Sequence, residues 1–351
     1  MLRLERRPQP SVHWRWGSPL LALAITVGVG MVLFAALGKD PLAGLRVFFW
    51  EPVRDLRALS ELLLKATPLL LIALGLAIGF RSNVWNIGAE GQFVLGAVCA
   101  SGVALALQGA AWATWPVVLL AGTLGGLAWA CITAWLRDRF NANEILVSLM
   151  LVYVAVQLLH YLVYGPWKDP LGFNFPQTQR FDAAAQVPRL VPGLRVHLGL
   201  VLALLAALAT WVFLFRTRAG FAQQVGGLAP LAARYAGFSA RAALWLAMGV
   251  TGALAGLAGA LEVAGPVGQL TPHVPVGYGF AAIIVAFVGR LHPAGIVGAA
   301  LLMSMFYLGG ELAQSRLGLP KSITGVFQGL LLFALLGCDT LIQYRIRWRR
   351  A

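Results

Sequence analysis

Charge is what this sequence has least of. Only 11% of its 351 residues are charged, and the 13 acids are outnumbered by 27 basic residues. A soluble globular chain carries about 25% charged residues, because water must wet its surface. With 59% hydrophobic residues and a mean hydropathy of +0.78, this chain cannot cover itself that way, and lipid is the solvent for most of it. Cysteine is scarce too. Cys99, Cys131 and Cys338 lie in or beside apolar runs, without Cys-x-x-Cys or His-rich spacing, and read as small apolar side chains rather than disulfide partners or metal ligands. Catalytic strings are missing. There is no Gly-x-x-x-x-Gly-Lys-Ser/Thr phosphate loop, no Gly-x-Ser-x-Gly, no His-Glu-x-x-His and no paired-carboxylate arrangement. Acids inside the apolar runs are too few for an obvious proton relay. The chain is expected not to be an enzyme, and the energy for any solute it moves must come from elsewhere.

What is abundant is basic charge set between apolar runs. The formal net charge is +14. No aromatic residues are interleaved with a basic patch, so nucleic acid is excluded as a partner. Apolar runs of spanning length, about 20 residues, fall at 20–38, 62–80, 92–108, 114–136, 145–164, 197–215, 242–262, 278–290, 294–312 and 323–342, the run at 278–290 being short. The fold class is therefore an all-α integral membrane protein with about ten transmembrane helices. Arg81, Arg137, Arg139, Arg216, Arg218, Arg234, Arg241 and Arg290, with the arginines of both termini, fall on one side of these runs. Asp40, Glu51, Asp55, Glu61, Asp169, Asp182 and Glu311 fall on the other. Positive charge is retained inside, so both termini are expected in the cytoplasm. The first run is too long for a signal-peptide core, and Gly38-Lys39-Asp40-Pro41 is a poor cleavage site, so it reads as a retained helix.

The chain divides into a basic cytoplasmic N-terminus (1–19), one transmembrane domain (20–342) and a basic cytoplasmic C-terminus (343–351). Within the domain, Lys39 to Ser60 reads as an outer segment, a helix lying on the interface, 165–195 as an outer loop and 216–241 as a cytoplasmic segment. Small residues at helical spacing, Gly75 with Gly79, Gly122 with Gly126, Gly252 with Gly256 and Ala255 with Gly259, are expected to let helices approach closely in lipid.

Four segments break the apolar pattern. Gly79 to Gln92 contains Asn83, Asn86, Glu90 and Gln92. It reads either as a cytoplasmic turn with a capped helix start or as an element of gating or docking, and spacing alone does not decide. Asn141 with Glu144 has the form of a capping box before an apolar run. Arg216 to Phe238 contains Pro230, suited to a first helical turn, a short helix over Leu231 to Tyr235, and Gly237 to end it. Such a helix, exposed in the cytoplasm with an apolar face, fits a groove on another protein; an interfacial loop is the alternative. Glu262 to Gly279 is broken by Gly265, Pro266, Gly268, Pro272, Pro275 and Gly277. It reads as a transport gate or as an ordinary outer loop.

These segments carry a resemblance. Ala66-Thr-Pro68, Gly79-Phe-Arg81 and Asn86-Ile-Gly-Ala-Glu-Gly-Gln92 resemble the permease subunits of bacterial ABC importers for simple sugars and nucleosides. So do Asn143-Glu-Ile-Leu-Val147, Arg234-Tyr-Ala-Gly-Phe238, Thr251 to Gly259, Gly279 to Phe287 and Pro293-Ala-Gly-Ile-Val-Gly298. The resemblance covers about 55–342, and the Asn86–Gln92 string points to the nucleoside branch. It implies the type II, vitamin B12-type permease architecture and half of a translocation path for a nucleoside or simple sugar. It implies a bacterial inner-membrane location. The expected partners are an ATPase subunit, a second and different permease, and a receptor lipoprotein or periplasmic binding protein. No cofactor is expected in this chain, since ATP and Mg²⁺ would be bound by the ATPase. Leu228, Ala229, Pro230, Leu231, Ala232, Ala233, Arg234 and Tyr235 would couple to it. Asn83, Asn86, Glu90 and Gln92, with Tyr278 and Phe280 opposite, are the candidates for the path. A sister permease for branched-chain amino acids or another small solute is the alternative. An ion-coupled secondary transporter is a different class, and it would want carboxylates in the middle of spans.

Overall fold

A computed structural model describes residues 2–6, 12–320 and 322–348. Arg7, Arg349 and Arg350 of the expected basic termini lie outside the described residues. The helices are α1 (Val12–Ala36), α2 (Pro41–Leu45), α3 (Leu56–Arg81), α4 (Ala89–Ala106), α5 (Trp115–Phe140), α6 (Glu144–Tyr164), α7 (Gly199–Arg216), α8 (Arg218–Leu228), α9 (Pro230–Tyr235), α10 (Ala240–Glu262), α11 (Tyr278–Val288), α12 (Pro293–Leu317) and α13 (Ile323–Gln343). Among the described residues nine helices are long and apolar enough to cross a bilayer: α1, α3, α4, α5, α6, α7, α10, α12 and α13. The chain is a mostly helical, multi-pass membrane protein. Among the described residues a short antiparallel pair joins β1 (Leu2–Arg6) to β2 (Tyr344–Trp348).

The expected span at 278–290 is corrected. α11 has 11 residues, about 16 Å of helix against a hydrocarbon core of about 30 Å. The preceding glycines and prolines prevent it from starting earlier. α10 runs into a π-helical turn, Val263–Val267, and Gly268 and Gly277 stand at φ +70° and +85°, where a side chain would be strained. The expected interfacial helix over Lys39 to Ser60 is also shorter than read. α2 is followed by a π-turn (Arg46–Trp50) and a 3-10 turn (Glu51–Val53), and α3 begins at Leu56.

The chain forms two compact units, with the boundaries falling inside α3 and α12. The first holds residues up to Leu62 and from Leu302 onward. Its interior is aromatic, with Phe48 stacked on Phe327 at 4.5 Å and Phe34 and Phe306 packed around them. Glu51 is paired with Arg316 at 2.5 Å, and Ser18 donates to Asp339 at 2.8 Å, joining α1 to α13.

The second unit, Leu63–Leu301, is built on the crossing of α4, α5 and α10. The small residues allow it. A methyl group on Gly256 would stand 2.3 Å from the Gly122 carbonyl oxygen, and one on Gly126 would stand 2.4 Å from that of Gly252. Backbones so close replace the hydrophobic drive that lipid cannot supply with van der Waals contact. α3 joins the crossing where Thr251 Oγ1 donates to the Gly75 carbonyl at 3.0 Å. The α5–α6 corner corrects the expected capping box. Asn141 ends α5 in the left-handed region (φ 53°), whereas Asn143 caps α6 by accepting from Ile145 N and Leu146 N. Glu144 pairs with Arg137 instead of reaching back to Asn141.

Candidate functional site

Two cavities of the second unit contain the segments that interrupt the apolar pattern. The first, about 460 Å³, lies between α6 and α11, lined by Glu90, Val152, Tyr153, Val156, Gln157, His160, Pro275, Gly277 and Phe280. Glu90 fixes one wall. Its carboxylate accepts from Gly277 N at 2.9 Å and Gly279 N at 2.5 Å, at the start of α11. A carboxylate suits that place because the first N–H groups of a helix have no partner within it and carry a partial positive charge. The fit is close, since a methyl group on Gly279 would meet Glu90 N at 2.2 Å.

The connection from α10 to α11 reaches this wall from the loop between α6 and α7. Val187 N, Phe181 N and Thr178 N donate to the carbonyls of Ala264, Gly268 and Leu270 at 2.9, 2.8 and 3.0 Å. The same loop also receives the far end of α4, where Gly109 N donates to Asp182 at 2.6 Å. Glu90 sits at the opposite end of that helix. The segment from Leu270 to Gly277 therefore runs from that loop to the start of α4. At the other end of α11, Arg81 Nε donates to the Leu291 carbonyl at 2.9 Å. His197, just before α7, accepts from Gly199 N through Nδ1 at 3.0 Å and packs against Gly265. Burial pushes its imidazole down to about 4.

The second cavity, about 900 Å³, lies beside α8 and α9, and Asn83, Arg137, Asp138, Gln223, Leu231, Arg234 and Arg241 are in its lining. α9 takes the expected form. It starts at Pro230 and stops before Gly237, which stands at φ +80°. Ala233 is buried, but Leu228, Leu231 and Tyr235 are 86%, 85% and 98% exposed. α8 was not legible in the sequence, because Gly220, Gly226 and Gly227 hide it; Thr217, whose hydroxyl accepts from Gly220 N, was the available sign. Those glycines let α8 pack closely, and a methyl group on Gly227 would stand 2.1 Å from the Arg81 carbonyl oxygen. α8 is tied to the end of α3 by Arg81 Nη1 donating to Gln224 at 2.8 Å and by Ser82 donating to Gln223. Gln223 donates in turn to the Ala243 carbonyl of α10 at 3.1 Å. Asp138 accepts from Arg241 and Trp245, joining α5 to α10.

The six candidate path residues are not brought together. Glu90 and Phe280 line the α6–α11 cavity, and Asn83 lines the other. Asn86 and Gln92 are buried and satisfy each other, exchanging amide hydrogen bonds of 3.0 and 3.1 Å. Tyr278 is buried edge-on against Phe93. Sequence reasoning missed Tyr153, Gln157 and His160, which share a face of α6 at helical spacing inside an apolar span.

A multi-pass helical membrane protein, with a broken helix in its interior and an exposed helix held apart from its spans, has the design of a transport permease. The comparisons agree, and the chain belongs to the family described as "branched-chain amino acid transport system / permease component", whose pattern matches residues 58–336. It is 35% identical to the glucose ABC transporter permease protein of Haloferax volcanii, over 98% of this chain and 93% of that protein. It is 28% identical to a guanosine ABC transporter permease protein of Bacillus subtilis, over 88% and 89% of the two chains. It is also 28% identical to a nucleoside ABC transporter permease protein of Lactococcus lactis, over 90% and 89%.

Proposed function

We propose that this chain is the transmembrane subunit of an ATP-driven importer, forming half of the translocation path for a nucleoside or a simple sugar. The observation that carries the reading is a continuous line of contacts. α9, with its exposed Leu231 and Tyr235, leads through α8 and Gln224 to Arg81, on to Leu291 at the end of α11, and so to the start of α11 on Glu90. A helix pushed at the cytoplasmic face would move a wall of the α6–α11 cavity. ATP would be bound with Mg²⁺ and hydrolysed by a separate cassette subunit docked on Leu228 to Tyr235. A receptor would deliver solute to the outer loop. The second half of the path would be a paralogous permease; Bacillus subtilis has a second guanosine permease protein, also similar to this chain. The architecture would be type II, in a cytoplasmic membrane with both termini inside.

The family's description favours a second reading, a branched-chain amino acid permease. The more similar relatives are named for glucose and nucleosides, which favours the first. An ion-coupled carrier has less support, because the one carboxylate of the cavity wall is engaged by backbone. The test is uptake of labelled guanosine, glucose and leucine into proteoliposomes holding this permease, its partner permease, cassettes and receptor. Guanosine or glucose should enter only with ATP. Entry of leucine alone would favour the second reading, and uptake by this chain without cassettes would refute both.

A further inference from the structure

Resting on the importer reading, we propose that the cavity between α6 and α11 holds the solute within the membrane, and that it takes an uncharged nucleoside and excludes nucleotides. Tyr153, Gln157 and His160 stand in the middle and outer half of a membrane-length apolar helix. Polar side chains at that depth face a protein interior or a water-filled passage rather than lipid. Here they face a cavity, with Phe280 and Glu90 on the other side. Its volume of about 460 Å³ is within the range of small-molecule sites.

The chemistry of the wall selects the solute. Tyr153 and Phe280 are both exposed, and aromatic faces suit a flat, apolar partner. Gln157 offers an acceptor and two donors, and His160 a ring nitrogen of each kind when neutral, the complement of a nucleobase edge. The rest of the wall is apolar, so a hexose, with hydroxyls on every side, would leave several unpaired. Charge is decided by Glu90. The start of a helix ordinarily attracts an anion, but at α11 a carboxylate already takes the N–H groups of Gly277 and Gly279. No Lys or Arg is in the lining. A phosphate there would find those N–H groups already taken and no positive charge to pair with.

The test is ATP-dependent uptake by the complete reconstituted transporter of labelled guanosine, uridine, glucose and guanosine monophosphate. Guanosine and uridine should enter, and glucose and the monophosphate should not. Tyr153→Leu should lower uptake of both nucleosides at least tenfold. Gln157→Leu should change the guanosine-to-uridine ratio at least threefold, which a general loss of folding would not do. Phe280→Leu, on the facing wall, carries the test should Gln157→Leu fail to assemble. Tyr164→Leu, on the same helix outside the cavity, should change nothing. Unaltered uptake and ratio in the three cavity variants would overturn the site. Entry of glucose in preference to nucleosides, or of the monophosphate, would overturn the solute class and leave the importer reading standing. ATP-dependent uptake of none of the four probes, nor of leucine, would sink the importer reading itself, and this proposal with it.

Discussion

Replacing Glu90 by Gln changes one oxygen to an amide nitrogen and little else, yet the geometry gives it a large local effect. The carboxylate accepts from two backbone N–H groups, Gly277 at 2.9 Å and Gly279 at 2.5 Å, and is only 2% exposed. A Gln side chain has one acceptor oxygen, so one N–H would lose its partner and face an NH₂ donor. A hydrogen bond to a charged group contributes about 1.5–3 kcal/mol, and a stranded buried donor costs about 1–3 kcal/mol. With partial relaxation the expected loss is about 2–4 kcal/mol. At 1.4 kcal/mol per factor of ten, that makes opening of the first turn of α11 roughly 30- to 700-fold more frequent. The assay is amide hydrogen exchange by mass spectrometry, in nanodiscs, on peptides covering Gly277 to Ala282. Exchange should accelerate there and stay unchanged in α5 and α10, and Glu90→Asp should fall between. Equal exchange in Glu90→Gln and the parent protein would refute the role of the carboxylate as the anchor of α11.

Three further outcomes follow from the same geometry. Leu231→Asp alters an 85% exposed side chain, so thermal stability should move by no more than about 0.5 kcal/mol, while co-purification of the cassette ATPase should be lost; normal co-purification would count against docking at α9. Arg81→Ala removes the donors to Leu291 and Gln224, and should leave ATP hydrolysis in place while solute uptake falls severalfold; a proportionate fall in both would show a general defect instead. His197, held down to about 4 against an ordinary 6.5, binds its proton in the unfolded chain before the folded one. Its neutral contribution is complete above about pH 6.5 and is lost as pH falls toward 4, to a total of about 3 kcal/mol at 1.36 kcal/mol per pH unit. His197→Asn keeps an acceptor for Gly199 N and cannot titrate, so thermal unfolding should depend less steeply on pH between 6.5 and 4; an unchanged slope would refute the assignment.

The spans were legible because each is a long apolar run, and in lipid the backbone must satisfy its own hydrogen bonds, which leaves helix as the only local answer. α9 was legible for a different reason. Pro230 and Gly237 are strong local punctuation and need no tertiary information. The failures have physical causes too. The run at 278–290 was apolar enough to pass for a span, but the glycine and proline series before it denies the helix its first half. Asn141 and Asn143 are both cap-forming residues two positions apart, and which one starts α6 depends on Asn141 taking the left-handed conformation that ends α5. Among the site residues, Asn86 and Gln92 drew attention because they are polar in an apolar stretch. Their mutual pairing, set by the turn that brings position 86 against 92, shows only in three dimensions. Tyr153, Gln157 and His160 could have been found by asking which polar residues share one face of α6.

Two features of the second unit give a broken helix an advantage over a whole one at the α6–α11 wall. A continuous helix satisfies its interior N–H groups itself and offers a passage only side chains. α11 begins inside the unit, so its first N–H groups need an outside acceptor, and Glu90 supplies it from the base of α4. Because that acceptor belongs to another helix, the position of α11 depends on α4 at one end and on Arg81 at the other. Arg81 also holds α8 through Gln224. The short helix is therefore suspended between a member of the tightly packed glycine crossing and the α8–α9 segment. Close packing resists deformation at the first attachment, so displacement of the second would tilt α11 about Glu90 and change the spacing of Phe280 from Tyr153. That lever, rather than bending of the crossing helices, is how motion at α9 would reach the cavity.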